Sequence, residues 1–221
     1  MRGLILILLT SVLCFNVPAQ HKPHILSVQD YTRQIKTAPD KRLVEIGKVV
    51  PGIKLDIKYA TTDNFMHRVM YAQARAFARA PVAEALKQVQ ADLKAKGLGL
   101  KIYDAYRPYA VTVDFYKMTP DTNFVADPRY GSKHNRGCAI DLSIINLKTG
   151  RELNMPTPFD SFSRKAASDY AGLPPEQLQN RELLKAVMEA HGFKALRTEW
   201  WHFDFTGWQG YELLDVPFGM L

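Results

Sequence analysis

Ser132-Lys133-His134-Asn135-Arg136-Gly137-Cys138-Ala139-Ile140-Asp141 is the stretch on which the fold turns. From Cys138 onward the chain alternates: Cys138, Ile140, Leu142 and Ile144 point to one side of a strand, Ala139, Asp141 and Ser143 to the other. The pattern predicts a core strand with an aspartate on its less apolar, wetter side. Gly137 lets the backbone bend just before the strand and brings His134 over it. A histidine and an aspartate held this way suit two ligands of one metal ion. Taken alone, the pair reads more readily as an exposed loop histidine beside a polar-face aspartate.

Around this stretch the chain has 221 residues and 47% hydrophobic content, enough for one substantial core. The net charge of +7 is carried by Lys and Arg scattered among acids and not gathered into a stripe, so no nucleic-acid partner is expected. Met1-Arg2, the apolar run Gly3 to Leu13 and the small-residue ending Val17-Pro18-Ala19 read as a secretory signal cut after Ala19. Residues 20–221 then form a single domain, exported and periplasmic. Leu13 before Cys14 does not fit a lipidation site, so no stable membrane anchor remains after cleavage. Loss of Cys14 leaves Cys138 alone, with no internal disulfide; on the apolar side of its strand it reads as a small buried hydrophobe.

The remaining elements follow from periodicity and caps. A short helix is expected near Leu26 to Ile35, and a half-buried strand over Ile53 to Tyr59, where apolar and charged residues alternate. Ala60 to Ala78 has no period and reads as a long ordered loop. Pro81 opens a helix with Val82, Ala85, Leu86, Val89 and Leu93 on one stripe, stopped by Gly97. A strand from Leu98 to Tyr103 runs into Asp104-Ala105-Tyr106-Arg107-Pro108, where Pro108 sets the strand's exit. A helix over Ala110 to Met118 and a loop from Thr119 to Lys133 lead to the opening stretch. Asn146 to Gly150 reads as a hairpin turn and Met155 to Ser163 as a loop. A last helix follows Pro174-Pro175 and stops at Gly192, with His191 suited to its dipole. The strand Phe193 to Arg197 then reaches Thr198-Glu199-Trp200-Trp201-His202-Phe203-Asp204-Phe205. This order predicts an α+β domain with a mainly antiparallel central sheet flanked by helices.

On the final strand Trp200, His202 and Asp204 share one face and Trp201, Phe203 and Phe205 the other. If His134, Asp141 and His202 converge, they form a two-histidine, one-carboxylate set, the ligand mix of a catalytic zinc site with an open position. Water at such a site has its pKa lowered to about 7. Glu199 is the candidate general base, provided that it sits at the junction before the strand, since three residues from His202 would otherwise put it on the wrong face. Arg107 suits stabilisation of an oxyanion, or equally a surface ion pair.

Ser132-x-His134-x-x-Gly137-x-Ala139-x-Asp141 with Glu199-Trp200-Trp201-His202 resembles the paired signature of the zinc D-Ala-D-Ala metallopeptidases, in particular the VanX-type D-alanyl-D-alanine dipeptidases. The likeness extends to Tyr59 to Phe65, Asp104 to Pro108 and Phe159-Asp160, and covers Leu43 to the C-terminus. It implies a hedgehog/DD-peptidase-like fold and one Zn2+ per chain on His134, Asp141 and His202, with Glu199 as general base and acid and Arg107 steadying the transition state. It also implies that Tyr59, Ser132 and Asp160 form a small pocket for a free dipeptide, Asp160 near its ammonium, with Trp200 as a wall. Met155-Pro156 departs from the Met-Gly usual in the family. Export departs too, since it separates the enzyme from newly made cytoplasmic dipeptide; salvage or turnover of wall-derived D-Ala-D-Ala is therefore expected. Two other readings stay open: a related carboxypeptidase or endopeptidase acting on longer wall peptides, and a zinc-stabilised wall-binding module without chemistry.

Overall fold

The computed structural model describes residues 22–221. The expected signal peptide and its cleavage after Ala19 lie outside the described residues. No helix among the described residues is long and apolar enough to cross a membrane. In chain order the elements are β1 (Ile25–Leu26), α1 (Val28–Thr37), β2 (Leu43–Glu45), α2 (Ile46–Val49), β3 (Lys54–Leu55), β4 (Phe77–Arg79), α3 (Ala80–Lys94), β5 (Leu98–Asp104), α4 (Tyr109–Met118), β6 (Ala139–Asn146), α5 (Pro175–Ala190), β7 (Phe193–Ala195), β8 (His202–Phe205) and β9 (Leu213–Leu214).

The central sheet has the order β3-β5-β6-β8-β7. Its β3–β5 pairing is parallel and the other three are antiparallel, so the domain is α+β with a mainly antiparallel sheet. Helix α3 carries Pro81 in its first turn, where amide hydrogens have no intrahelical acceptor, and buries Val82, Leu86, Val89 and Leu93. Its Gln90 accepts the Leu100 N–H at 2.8 Å, which ties the helix to the start of β5. Helix α5 buries Leu184 and Met188 while Leu178 and Leu183 stay half-buried. The two helices pack on each other, α3 also on β5 and α5 on β6 and β7. Each fully buried Val or Leu contributes about 1.5–3 kcal/mol through the water it sheds.

Four expectations change. The strand expected over Ile53 to Tyr59 pairs only at Lys54 and Leu55, then turns through a short 3-10 helix, Lys58–Ala60. The chain leaves the sheet edge because Tyr59 turns inward: it is buried, and its carbonyl accepts the N–H groups of Met70 and Tyr71 at 2.8 and 2.9 Å. The loop expected to run to Ala78 ends earlier, in β4, which pairs with β2. The helix expected near Leu26 starts at Val28 instead, because Ser27 and Asp30 form a capping box that fixes its first turn. Finally, β6 has no wet side. Asp141 and Ser143 are as buried as Ile140 and Leu142, Asp141 keeping 3% of its surface. Cys138 is fully buried, as expected.

Candidate metal centre and substrate cavity

Sheet register places the site. Asp104 on β5 pairs with Asp141 on β6, after a register shift between Ile102 and Asp104, and Asp141 pairs with His202 on β8. Directly opposed residues in a sheet share a face, so Asp104, Asp141 and His202 form one transverse row. His134 reaches this row from a 3-10 turn, His134–Arg136, closed by Gly137 at φ +69. A Cβ at Gly137 would lie 2.5 Å from Leu43 Cδ2, so both the left-handed backbone and the close packing call for glycine here. The ligand atoms of His134, Asp141 and His202 all lie within 4.8 Å of one another.

The second nitrogen of each imidazole is held by a partner. His134 Nδ1 lies 2.7 Å from the Ala105 carbonyl oxygen, and His202 Nε2 lies 2.9 Å from Asp204 Oδ1. Each of these nitrogens donates its hydrogen outward, leaving His134 Nε2 and His202 Nδ1 as bare lone pairs turned toward Asp141. His134 Nε2 is 3.2 Å from His202 Nδ1 and 3.4 Å from Asp141 Oδ2, and His202 Nδ1 is 3.0 Å from Asp141 Oδ1. Asp141 Oδ1 is a buried oxygen without a hydrogen-bond partner. Three lone-pair donors facing one another at such distances repel unless a cation lies between them. The pull toward positive charge shows in the imidazole itself: although burial opposes it, the Asp141 and Asp204 carboxylates beside it raise His202 to about 10 in the metal-free chain. Two neutral imidazole nitrogens and a carboxylate oxygen also fit a zinc ion.

Glu199 meets the geometric condition set by the sequence. It lies in the turn just before β8, its Oε2 3.8 Å from His202 Nδ1. Burial pushes its carboxyl up to about 7, with Asp141 adding to the rise and His202 and Arg107 opposing it. Arg107 is buried, which settles the alternative of a surface ion pair: its Nε and one terminal nitrogen donate to Asp104 Oδ2 at 3.0 and 2.7 Å. A terminal nitrogen also lies 3.9 Å from Asp141 Oδ2, so the guanidinium borders the site. Burial works against its charge, but Asp104 and its neighbours more than compensate and hold it cationic. Asp104 is fixed in turn by the Tyr71 hydroxyl at 2.8 Å and the Ala105 N–H at 2.9 Å.

A cavity of about 460 Å³ opens over this row. Tyr59, Ser132 and Asp160 line it with Arg107, Glu199 and the proposed ligands. The Tyr59 hydroxyl donates to Asp160 Oδ2 at 2.9 Å. Burial first, then the negative charge of Asp141, push the Asp160 carboxyl well above the usual range. Asp160 takes a left-handed backbone, φ +59, uncommon for a residue with a side chain. Trp200 does not line the cavity. It is buried elsewhere, its indole N–H donating to Thr157 Oγ1 at 3.0 Å, because β8 begins only at His202 and Trp200 lies in the preceding turn. Trp208 stands at the rim instead.

Sequence reasoning assigns no role to Asp104, Lys133 or Asp204. Lys133 Nζ lies 2.6 Å from Asp204 Oδ2, so a lysine braces the carboxylate that orients His202. For Asp204 a signal exists, since it follows His202 by two residues and so shares its face; for Asp104 the register shift in β5 hides it.

Residues 39–216 match the family model described as D-ala-D-ala dipeptidase. The D-alanyl-D-alanine dipeptidase of Escherichia coli (strain K12) is 35% identical over 176 residues, which cover 80% of this chain and 91% of that protein. The D-alanyl-D-alanine dipeptidase of Enterococcus faecalis (strain ATCC 700802 / V583) is 31% identical over 193 residues, 78% of this chain and 92% of that protein. A match of this extent, on a chain whose buried histidines and aspartate converge as a metal site requires, establishes that it belongs to the D-Ala-D-Ala dipeptidase family of metallopeptidases.

Proposed function

We propose that this chain hydrolyses free D-Ala-D-Ala to D-alanine with one zinc ion held by His134, Asp141 and His202. The observation that carries the proposal is the opposition of three bare donor atoms at 3.0–3.4 Å beside a buried Glu199 that is not needed to complete the set. Zinc in that position supplies Lewis-acid chemistry, acidifying water and polarising a carbonyl oxygen. Glu199, at about 7, is matched to take a proton from the attacking water and return it to the departing amine. Arg107, held by Asp104, presents its guanidinium to the oxyanion that forms on the attacked carbonyl. Asp160 and Tyr59 receive the substrate's ammonium; a cation entering beside Asp160 favours the ionised carboxylate over its buried neutral form. Ser132 closes the pocket, its hydroxyl already accepting the His134 N–H at 3.2 Å.

The sequence before residue 20 supports export to the periplasm, and with it salvage or turnover of wall-derived dipeptide. The test uses the chain from residue 20. It is incubated with D-Ala-D-Ala as prepared, after chelation, and after chelation with zinc restored, and free D-alanine is assayed. Release that chelation abolishes and zinc restores is expected; release indifferent to both refutes the zinc mechanism, and no release under any condition refutes the activity. An N-acylated dipeptide separates a dipeptidase, which loses turnover, from a carboxypeptidase, which does not.

A further inference from the structure

A second cavity of about 640 Å³ lies against the substrate cavity, and Asn123, Phe124 and Thr198 line both. The chain crosses the partition twice within a residue or two. Phe162 faces the substrate cavity while Ser163 and Arg164 face the second one; Glu199 faces the substrate cavity while Arg197 faces the second. The partition has a definite structure. Phe124 and Phe162 stack with ring centroids 4.8 Å apart and 25° between planes, and Phe162 leans on Phe65, which in turn meets buried Phe115. Phe162 keeps 42% of its surface exposed, so an apolar ring is held at the mouth against the tendency to bury it.

We infer that the stacked Phe124–Phe162 pair is the wall that sets substrate length, separating a dipeptide-sized site from a cationic groove able to seat an acidic extension at the substrate's amino end. The inference deepens the proposed dipeptidase activity and rests on it. Direction follows from sequence: Phe162 lies two residues beyond Asp160, so the wall stands on the side where the ammonium is received. Charge follows from the groove's lining: Arg164 and Arg197 supply two guanidinium groups, and Asp169 answers Arg197 only at 3.9 Å. An acyl group on the dipeptide amine has to pass where the rings now stack. Hydrolysis itself is unchanged: water adds its hydroxyl to the D-alanyl carbonyl, the C–N bond breaks, and the proton goes to the amine.

The test compares D-Ala-D-Ala with N-glutaryl- and N-pentanoyl-D-Ala-D-Ala, acidic and neutral extensions of equal length, on the zinc-loaded chain. Phe124→Ala, and separately Phe162→Ala, should raise the kcat/KM of the acylated substrates relative to the dipeptide at least about tenfold, the range one side chain's bulk commands in a pocket. Glutaryl should then exceed pentanoyl, and Arg164→Gln with Arg197→Gln in the Phe124→Ala background should erase that preference. Ratios moving less than twofold in both wall variants, with zinc content and melting temperature as in the parent, overturn the inference. So does a parent chain that cleaves acylated and free dipeptide alike. Calorimetric binding of the glutaryl dipeptide to Glu199→Gln and Glu199→Gln/Phe124→Ala decides the wall without turnover: a tenfold gain supports it, equal affinity overturns it. Absence of turnover in the parent chain counts against the dipeptidase reading alone.

Discussion

The floor and the mouth of the cavity are built on different principles. The floor is a row across three paired strands, Asp104, Asp141 and His202, and its two outer members are braced by further groups: Tyr71 and Ala105 on Asp104, and Asp204, itself held by Lys133, on His202. The mouth is loop, with Asp160 in a left-handed backbone and Phe162 largely held by other rings. Chemistry that must place atoms within a fraction of an ångström rests on the sheet, while selection among substrates is left to segments that tolerate change. Variants in the floor should therefore act on metal and rate, and variants in the mouth on which substrate is taken.

The largest effect is expected at Glu199. Glu199→Gln keeps the shape of the side chain and removes the base, and kcat should fall by about 10²–10⁴ with zinc content unchanged. Loss of zinc together with rate would instead make Glu199 a ligand, and full activity would take the role of base away from Glu199. Next comes Asp104→Ala, which strands the buried Arg107 guanidinium; a loss of about 3–5 kcal/mol in urea unfolding is expected, against little change for Asp114→Ala at the exposed Lys117 pair. Asp204→Asn keeps an acceptor for His202 but removes its charge, and zinc affinity measured by chelator competition should fall about 10–100-fold. At the mouth, Phe162→Ala should cost only about 0.5–1.5 kcal/mol of stability. A mouth variant that costs as much zinc affinity as Asp204→Asn breaks the division between floor and mouth.

The pH dependence sharpens the same contrast. Glu199 must be ionised to accept a proton, so kcat/KM should decline as pH falls through its pKa. Burial sets that carboxyl near 7 in the metal-free chain, and a dication beside it lowers the value from there. The acid limb of the profile is thus expected at or below pH 7, and Glu199→Gln should abolish it.

Much of the floor is legible in the amino-acid sequence. The alternation through Cys138 to Ile144 and the glycine at 137 are local properties of the chain, and the strand and the bend they predict are both there, although burial does not alternate. The stripe of α3 and the proline in its first turn likewise act within a few residues, so they can be read directly. The expectations that fail do so where another contact competes with the periodic pattern or where the pattern ends, as at α1, whose start the Ser27–Asp30 capping box moves to Val28. Ile53 to Tyr59 has the alternation of a strand but leaves the sheet early, because burying Tyr59 among Phe65, Tyr71, Phe115 and Phe159 outweighs further pairing at the sheet edge. Trp200 has the parity of a cavity wall, but parity holds only inside a strand, and β8 begins two residues later.

By itself the sequence determined the identity of the donors, the carboxylate beside them and the arginine, because residue chemistry and short-range periodicity belong to the chain alone. Only the tertiary structure decided that these groups meet. The register of β6 against β8 joins residues some sixty positions apart, and the irregularity in β5 turns Asp104 into the row. It also chose which nitrogen of each histidine faces inward, since the Ala105 carbonyl and the Asp204 carboxylate take the other one. Such choices depend on hydrogen-bond partners brought from distant segments, and no local pattern encodes them.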